Sequence, residues 1–243
     1  MRCFPVILAM FLGIAANTAG FDDPFIKAQA AYDDGRYAEA VLLYDNMVSN
    51  GVENTEVIYN LANAYYKDGD LPKAVWHYRK AWYRAPRDPD INANLHFALS
   101  AAGAIEPAPG LPGRILSLLS TREWVATIIA AYLLLTVLLA MSLLLRSMRI
   151  PLLKVSLVPA GLLLLALAGW QYWAQFGRAP EAVVVKSGTT SLYGPVEGST
   201  AHFDVPLAAL VRQRAYDQKG WIEIEYDGKT GWVKRGNILL LYP

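Results

Sequence analysis

The chain repeats one pattern of small and aromatic residues at a spacing of 34 positions. The matched pairs are Gly35 and Gly69, Ala40 and Ala74, and Tyr44 and Tyr78. A period of this length indicates helical hairpins that stack side by side, each unit contacting only its neighbours. Such stacks present a groove to another protein, so the repeat predicts a binding protein without chemistry of its own.

The second unit, residues 55–88, gives each recurring position a physical task. Ala62 lets two helices approach closely, Gly69 ends the first helix, and Pro72 begins the second, where its missing N–H costs nothing. Tyr78 is expected to fill the core between the helices. The unit resembles a tetratricopeptide repeat along its whole length.

The repeat region extends on both sides of this unit. Residues 21–54 carry the same frame and form the first repeat. Residues 90–102 place Leu95 and Leu99 at helical spacing, which predicts a capping helix that closes the stack. We therefore expect an α-helical tetratricopeptide hairpin stack over residues 21–103.

The groove of such a stack is lined, in the family, by the first helix of each unit. In this chain the candidate partner-binding residues are Tyr32, Tyr59, Asn63, Tyr66 and Asn94. An asparagine side chain can hold a peptide backbone with one donor and one acceptor, and tyrosines supply flat contact area. Asparagine is also ordinary at the position of Asn94, and at that of Asn60, where it serves packing.

The N-terminal residues 1–20 have the features of a secretory signal peptide. Arg2 supplies a positive start, a short apolar run follows, and small residues precede Phe21. Segments of this kind are removed on export, which places the following domain outside the cytoplasm. An uncleaved membrane anchor is the alternative.

Two apolar runs further along the chain, residues 124–145 and 152–173, predict transmembrane helices. Each has about 22 residues, and about 20 suffice to cross a bilayer. Neither has a polar stripe, which favours lipid over the core of a globular domain. Arg146 and Arg149 lie in the short link between the runs, and clustered positive charge places that link in the cytoplasm. A Pro/Gly linker without regular helix, residues 104–122, is expected to tether the stack.

The C-terminal residues 180–243 change to a period of two. Residues 221–226 alternate apolar and charged side chains, and Asp227 with Gly228 turns the chain into a further strand. Several short strands in so few residues predict a small all-β barrel.

This C-terminal segment resembles a bacterial SH3-like domain, through its Gly-Trp before an alternating strand and the DGKTGWV motif after it. Domains of that family bind cell-wall peptides or proteins through aromatic residues beside their loops. The resemblance implies contacts by Tyr193, Trp221 and Trp232. The two tryptophans fit the barrel core equally well.

Composition and motifs exclude several functions. A formal net charge of +1 argues against nucleic-acid binding, which needs a basic face. The single cysteine, Cys3, has no second cysteine with which to pair, and the histidines His77, His96 and His202 lie in unrelated elements. We find no phosphate loop, nucleophile motif or metal-ligand spacing, and we expect no catalytic site, cofactor or metal.

The order of these modules resembles the BatE proteins of bacterial aerotolerance operons. The expected fold is a multidomain membrane protein with a helical stack, two transmembrane helices and an SH3-like barrel. The resemblance implies a two-pass inner-membrane scaffold, with repeats and barrel on the periplasmic side. Its implied partners are Bat membrane proteins with von Willebrand factor A domains and a MoxR-type ATPase. The alternative is a peptidoglycan-binding or envelope-sensing protein in which the barrel performs the recognition.

Overall fold

The computed structural model describes residues 23–105, 111–178, 181–216 and 220–241. The segment expected to be a signal peptide, residues 1–20, lies outside the described residues. The described chain forms a helical stack, a hairpin of two long apolar helices, and a β-sheet.

Five helices form the N-terminal stack, and each packs against the helix before it. They are α1 (Pro24–Asp33), α2 (Tyr37–Ser49), α3 (Thr55–Asp68), α4 (Leu71–Arg84) and α5 (Pro89–Ala101). Gly69 ends α3 in the left-handed conformation, at a φ of 92°, and the Asp70 carboxylate accepts the Lys73 backbone N–H at the start of α4. The predicted helical hairpin stack is confirmed.

The 34-residue pattern has its physical cause in the core of this stack. The recurring alanines, Ala40 and Ala74, are fully buried, because a larger side chain would separate the helices that cross there. The recurring tyrosines, Tyr44 and Tyr78, are only 1% and 2% exposed, and their rings fill the space that the alanines leave.

The linker predicted over residues 104–122 contains a short helix, which the sequence reasoning missed. This helix, α6, spans Leu111–Leu116. Pro112 lies in its first turn, where a proline removes no hydrogen bond, so the Pro/Gly composition permits a helix that begins at this point.

Two long helices follow as a hairpin, α7 (Thr121–Leu144) and α8 (Arg149–Arg178), joined through a single 3₁₀ turn over Arg146–Met148. Both are long and apolar enough to cross a membrane, judged by length and composition. α8 contacts the Trp124 ring of α7 closely at Gly169, because a Cβ atom there would lie 2.2 Å from that ring.

The C-terminal region is a seven-stranded antiparallel sheet with strand order β3-β2-β6-β5-β4-β1-β7. Its strands are β1 (Glu181–Val184), β2 (Thr189–Leu192), β3 (Ala201–Val205), β4 (Leu210–Tyr216), β5 (Trp221–Tyr226), β6 (Lys229–Lys234) and β7 (Ile238–Leu241). Asp227 and Gly228 form the predicted β5–β6 turn, both with positive φ, as tight hairpin turns require. The all-β prediction is confirmed as an antiparallel sheet.

Candidate protein-binding groove

One face of α3 carries three of the residues predicted to bind a partner. Tyr59, Asn63 and Tyr66 stand at positions i, i+4 and i+7, which share a face of a helix, and all three side chains are half-buried. Asn94 and Phe97, three residues apart on α5, contact that face. We call these five residues and Tyr32 the groove cluster.

Hydrogen bonds hold the amides of the groove cluster in place. The Asn63 Oδ1 atom accepts the Tyr78 hydroxyl at 2.6 Å and the Asn94 Nδ2 atom at 3.0 Å. The Asn94 amino group also donates to the Tyr59 hydroxyl at 2.8 Å. The two asparagines, which belong to different helices, are therefore oriented by each other and by tyrosines before any partner arrives.

Two tyrosines of this cluster, Tyr32 and Tyr59, have raised pKa values. Burial raises the pKa of Tyr59 above its usual value. Burial, followed by the neighbouring Tyr37 and Tyr59, also raises the pKa of Tyr32 on α1, whose ring lies 5.4 Å from that of Tyr37. The surface therefore offers amides and neutral hydroxyls, which suit a peptide backbone better than a charged side chain.

Phe97 is a member of the groove cluster that the sequence reasoning missed. Its side chain is 60% exposed, and its ring lies 5.6 Å from that of Tyr66. The available signal was its spacing, because Phe97 follows Asn94 by three positions on the same helix. Phe97 and Tyr66 give the cluster an aromatic pair that a partner could cover.

The three aromatic residues of the sheet that were predicted to contact a ligand differ in exposure. Tyr193 is 63% exposed and stacks on His202 with ring centroids 4.1 Å apart. Trp221 is buried in the sheet, whereas Trp232 is half-buried. The register of β5 and β6 places both tryptophans on one face, because Trp232 pairs with Glu223, two residues after Trp221.

Trp221 also borders an open cavity of about 710 Å³ at one end of the sheet. Lys186, Lys234 and Arg235 line the same cavity, and the Lys234 ammonium lies 5.7 Å from the Trp221 ring centre. Tyr193 does not line this cavity, so the structure does not bring the three predicted aromatics into one site.

The sheet packs directly against the stack, a contact that the sequence reasoning missed. Arg79 of α4 bonds Glu181 of β1 through two atoms, at 2.6 and 2.9 Å, and the Tyr83 hydroxyl donates to the same carboxylate at 2.9 Å. The Trp76 indole N–H donates to the Leu240 carbonyl at 2.9 Å. We call Arg79, Glu181 and Tyr83 the docking triad.

The docking triad is buried, and its charges compensate each other. Burial opposes ionisation of Glu181, but the Arg79 guanidinium and the hydrogen bonds from Arg79 and Tyr83 outweigh it and hold the pKa of that carboxyl below its usual range. Burial and then Glu181 raise the pKa of Tyr83. The triad therefore contains a carboxylate, a guanidinium and a neutral hydroxyl, each bonded to another.

Among the residues that the structure describes, no group of three or more His, Cys, Asp or Glu side chains is placed to hold a metal ion. His77 is buried against Tyr65, with ring centroids 5.3 Å apart. Burial, followed by the nearby Lys80 and Lys73, lowers the pKa of His77 to about 3. Its environment favours a packed, neutral imidazole.

Comparison with known proteins gives a partial likeness to one group. No family model matches the chain. Curated relatives include the photosystem I assembly protein Ycf3 of Prochlorococcus marinus strains NATL2A and NATL1A, each 30% identical over 87 residues, or 35% of this chain and 50% of the relative. The Ycf3 protein of Synechococcus sp. strain CC9605 is 30% identical over 84 residues, 33% of this chain and 49% of the relative. The chain thus spans about half the length of the curated relatives that it matches.

Proposed function

We propose that this chain is a non-enzymatic scaffold of the bacterial inner membrane that holds protein partners on its groove cluster. The stack and the sheet, which we assign to the SH3-like class, lie on the periplasmic side, and α7 and α8 form a transmembrane hairpin. The partners are other Bat membrane proteins, which carry von Willebrand factor A domains. The complex serves aerotolerance or envelope stress.

The burial of the apolar helices supports the membrane assignment. A core helix of a soluble protein is mostly buried, whereas only 11% of the most apolar window of α7 and 17% of that of α8 are buried. Neither helix lies near the N-terminus, where a signal sequence would be. Apolar surface of this extent is stable in lipid and unfavourable in water.

The charge at the tip of the hairpin supports the orientation. Arg146 and Arg149 flank the turn between α7 and α8, and Lys154 follows on α8. Short loops rich in positive charge stay on the cytoplasmic side. The stack and the sheet, at the opposite end of the hairpin, then face the periplasm.

The groove cluster is the observation that carries the proposal. Its internal bonds use the Asn63 carbonyl and the Asn94 amino group. The Asn63 amino group and the Asn94 carbonyl are the donor and acceptor that an extended backbone would meet, beside the Tyr66 and Phe97 rings. The assembly role in the names of the Ycf3 relatives points to the same class of function.

The partner test uses variants that leave the internal bonds intact. Replacing Asn63 would remove the acceptor of the Tyr78 hydroxyl and one of the two acceptors of the Asn94 amino group, so it would destabilise the stack. Tyr66→Ala with Phe97→Ala removes the aromatic pair instead. Leu42→Ala is the matched control, since Leu42 is 71% exposed on α2, the second helix of the first hairpin.

Each full-length variant is purified in mild detergent with co-expressed Bat membrane proteins, and the captured amount is measured. We expect a loss of more than about tenfold for the double variant, because aromatic anchors at interface centres commonly contribute that much. Leu42→Ala should capture as the wild type does. Equal capture by all three proteins would place the contact elsewhere.

The second candidate function is recognition of peptidoglycan or of envelope state by the sheet. The observation that favours it is the cavity of about 710 Å³ beside Trp221, with its three cationic neighbours. Isolated cell-wall sacculi test it directly. If sacculi retain the full-length protein and Tyr66→Ala with Phe97→Ala leaves retention unchanged, the sheet performs the recognition and the scaffold proposal fails.

A further inference from the structure

A second cavity, of about 740 Å³, lies where the helical stack meets the end of the apolar hairpin. Lys80 and Arg84 of α4 line it from the stack, and Arg122 lines it from the first turn of α7. Trp170 and Trp173, near the C-terminal end of α8, also line it. We call this space the junction cavity.

The junction cavity is positively charged. Three cations and one carboxylate, that of Glu53, line it. Glu53 accepts Lys80 at 2.7 Å and Arg84 at 2.8 Å. An ammonium has three donor protons and a guanidinium five, so each cation keeps donors beyond those that hold Glu53. The charge complements an anion with several acceptor oxygens, such as a phosphate ester.

The cavity opens onto an apolar track. Val125 and Ile129 follow Arg122 on one face of α7 at positions i+3 and i+7, and they are 38% and 55% exposed. On α8, Trp170 and Leu167 are 43% and 42% exposed. A free phosphate ion would leave this track in contact with water, whereas an acyl chain would cover it.

We propose that the junction cavity binds the headgroup of an anionic phospholipid, whose acyl chains lie along α7 and α8. The proposal rests on the transmembrane hairpin of the proposed function, because that assignment brings Trp170 and Trp173 to the headgroup level of the outer leaflet. The Lys80, Arg84 and Arg122 side chains hold the phosphate. The lipid thereby ties the stack to the bilayer surface.

The test titrates the delipidated full-length protein in detergent with phosphatidylglycerol or with phosphatidylcholine, and native mass spectrometry counts the bound lipids. Lys80→Gln with Arg84→Gln removes two cations and should weaken phosphatidylglycerol binding at least about tenfold, the size of one charge-assisted hydrogen bond. Arg122→Gln, at an exposed position, should weaken it in the same direction without disturbing the stack.

Glu53→Gln is the matched control for loss of the ion pairs. It removes both ion pairs, as the double variant does, but leaves both cations in the cavity and keeps the Arg84 hydrogen bond to the Glu53 backbone carbonyl. Phosphatidylglycerol should therefore bind as well as to wild type or better. Weaker binding to Glu53→Gln would overturn the proposal, because the bonds within the protein, rather than the cations, would then explain the double variant.

Three further outcomes decide the assignment. Equal retention of phosphatidylglycerol by the wild type and the cation variants would overturn it, as would equal retention of the two lipids by the wild type. Displacement of bound lipid by inorganic phosphate would identify a free anion as the occupant and also overturn it. An alkaline carbonate wash of membranes distinguishes failure of the junction site from failure of the proposed function. Release of the chain from the membranes would contradict the transmembrane hairpin. Retention of the chain, together with equal phosphatidylglycerol binding by the wild type and the cation variants, would contradict the junction site alone.

Discussion

The docking triad predicts a large response to a change of one atom in the chain. Glu181→Gln keeps the shape of the side chain and an acceptor for the Tyr83 hydroxyl, but it removes the charge that compensates Arg79. Arg79 and Glu181 are only 6% and 4% exposed, so the guanidinium would be left without its counter-ion in a site with little water. Breaking a buried pair in this way costs about 3–5 kcal/mol.

Hydrogen exchange of the full-length protein in detergent measures this cost. We expect the slowest amides of the sheet to lie in the inner strands β4 and β5 and to exchange through opening events that include loss of the sheet's contact with α4. A cost of 3–5 kcal/mol predicts that Glu181→Gln accelerates their exchange by at least about a hundredfold. Glu197→Gln is the control, because its ion pair with Lys234 is exposed on both sides and should change the rates by less than about fivefold.

A double variant separates the cost of a lone charge from the value of the pair. Arg79→Met with Glu181→Gln removes both charges and retains an amide oxygen for Tyr83. We expect most of the protection to return, since neutral replacements of a buried pair are often tolerated. If Glu181→Gln exchanged at the same rates as Glu197→Gln, or if the double variant exchanged faster than Glu181→Gln, the loss of charge compensation at Arg79 would not be the cause of the destabilisation.

Three further predictions concern the stack and the hairpin. The pKa of His77 is lowered from 6.5 to about 3 in the folded chain. Between these two pH values the imidazole binds a proton in the unfolded chain but not in the folded chain, so the free energy of unfolding falls as the pH decreases. His77→Phe should remove about 2 kcal/mol of the loss between pH 6 and pH 4.5, measured by urea unfolding at each pH, and parallel losses in both proteins would contradict this. Gly169→Ala should destabilise the hairpin by about 1–3 kcal/mol in thermal unfolding, because its Cβ would overlap the Trp124 ring. Gly161→Ala should not, because nothing lies within 4 Å of a Cβ at that position, and equal unfolding midpoints of the two variants would contradict the packing at Gly169. Gly69→Ala should cost the stack about 1–2 kcal/mol in urea unfolding, because Gly69 has a φ of 92°, and an unchanged midpoint would exclude backbone strain there.

The helical stack could be predicted from the sequence because its determinants are local. Gly69 has a positive φ, and Ala74 and Tyr78 are buried where two helices cross closely. The same three residue types occur 34 positions earlier in the chain. The β5–β6 hairpin was accessible for the same reason, since Asp227 and Gly228 specify the turn by themselves.

The docking triad could not be predicted because its members are far apart in the chain. Arg79 and Glu181 are 102 positions apart, and neither lies in a sequence motif that predicts contact with the other. Arg79 is not one of the recurring positions of the repeat, since the residue 34 positions earlier is Asp45. Its burial depends on which surface of the sheet meets α4, and that is set by packing between complete elements.

The groove cluster lies between these cases. Helical spacing and the repeat frame identified Tyr59, Asn63 and Tyr66 as neighbours, and the structure places them on one face of α3. The bond from Tyr78 to Asn63 was not foreseen, because Tyr78 belongs to the following helix and was assigned to the core alone. That bond matters for experiments, since it makes Asn63 a structural residue as well as a candidate contact.

Photocrosslinking in intact bacteria tests the central claim most directly. A photoreactive phenylalanine derivative replaces Tyr66 in the groove cluster or, as a control, Leu42 on α2. We expect a discrete adduct with an envelope protein from position 66 that is absent from position 42 and is lost when Phe97→Ala is added. The same adducts from both positions, or none from position 66, would contradict a partner-binding groove.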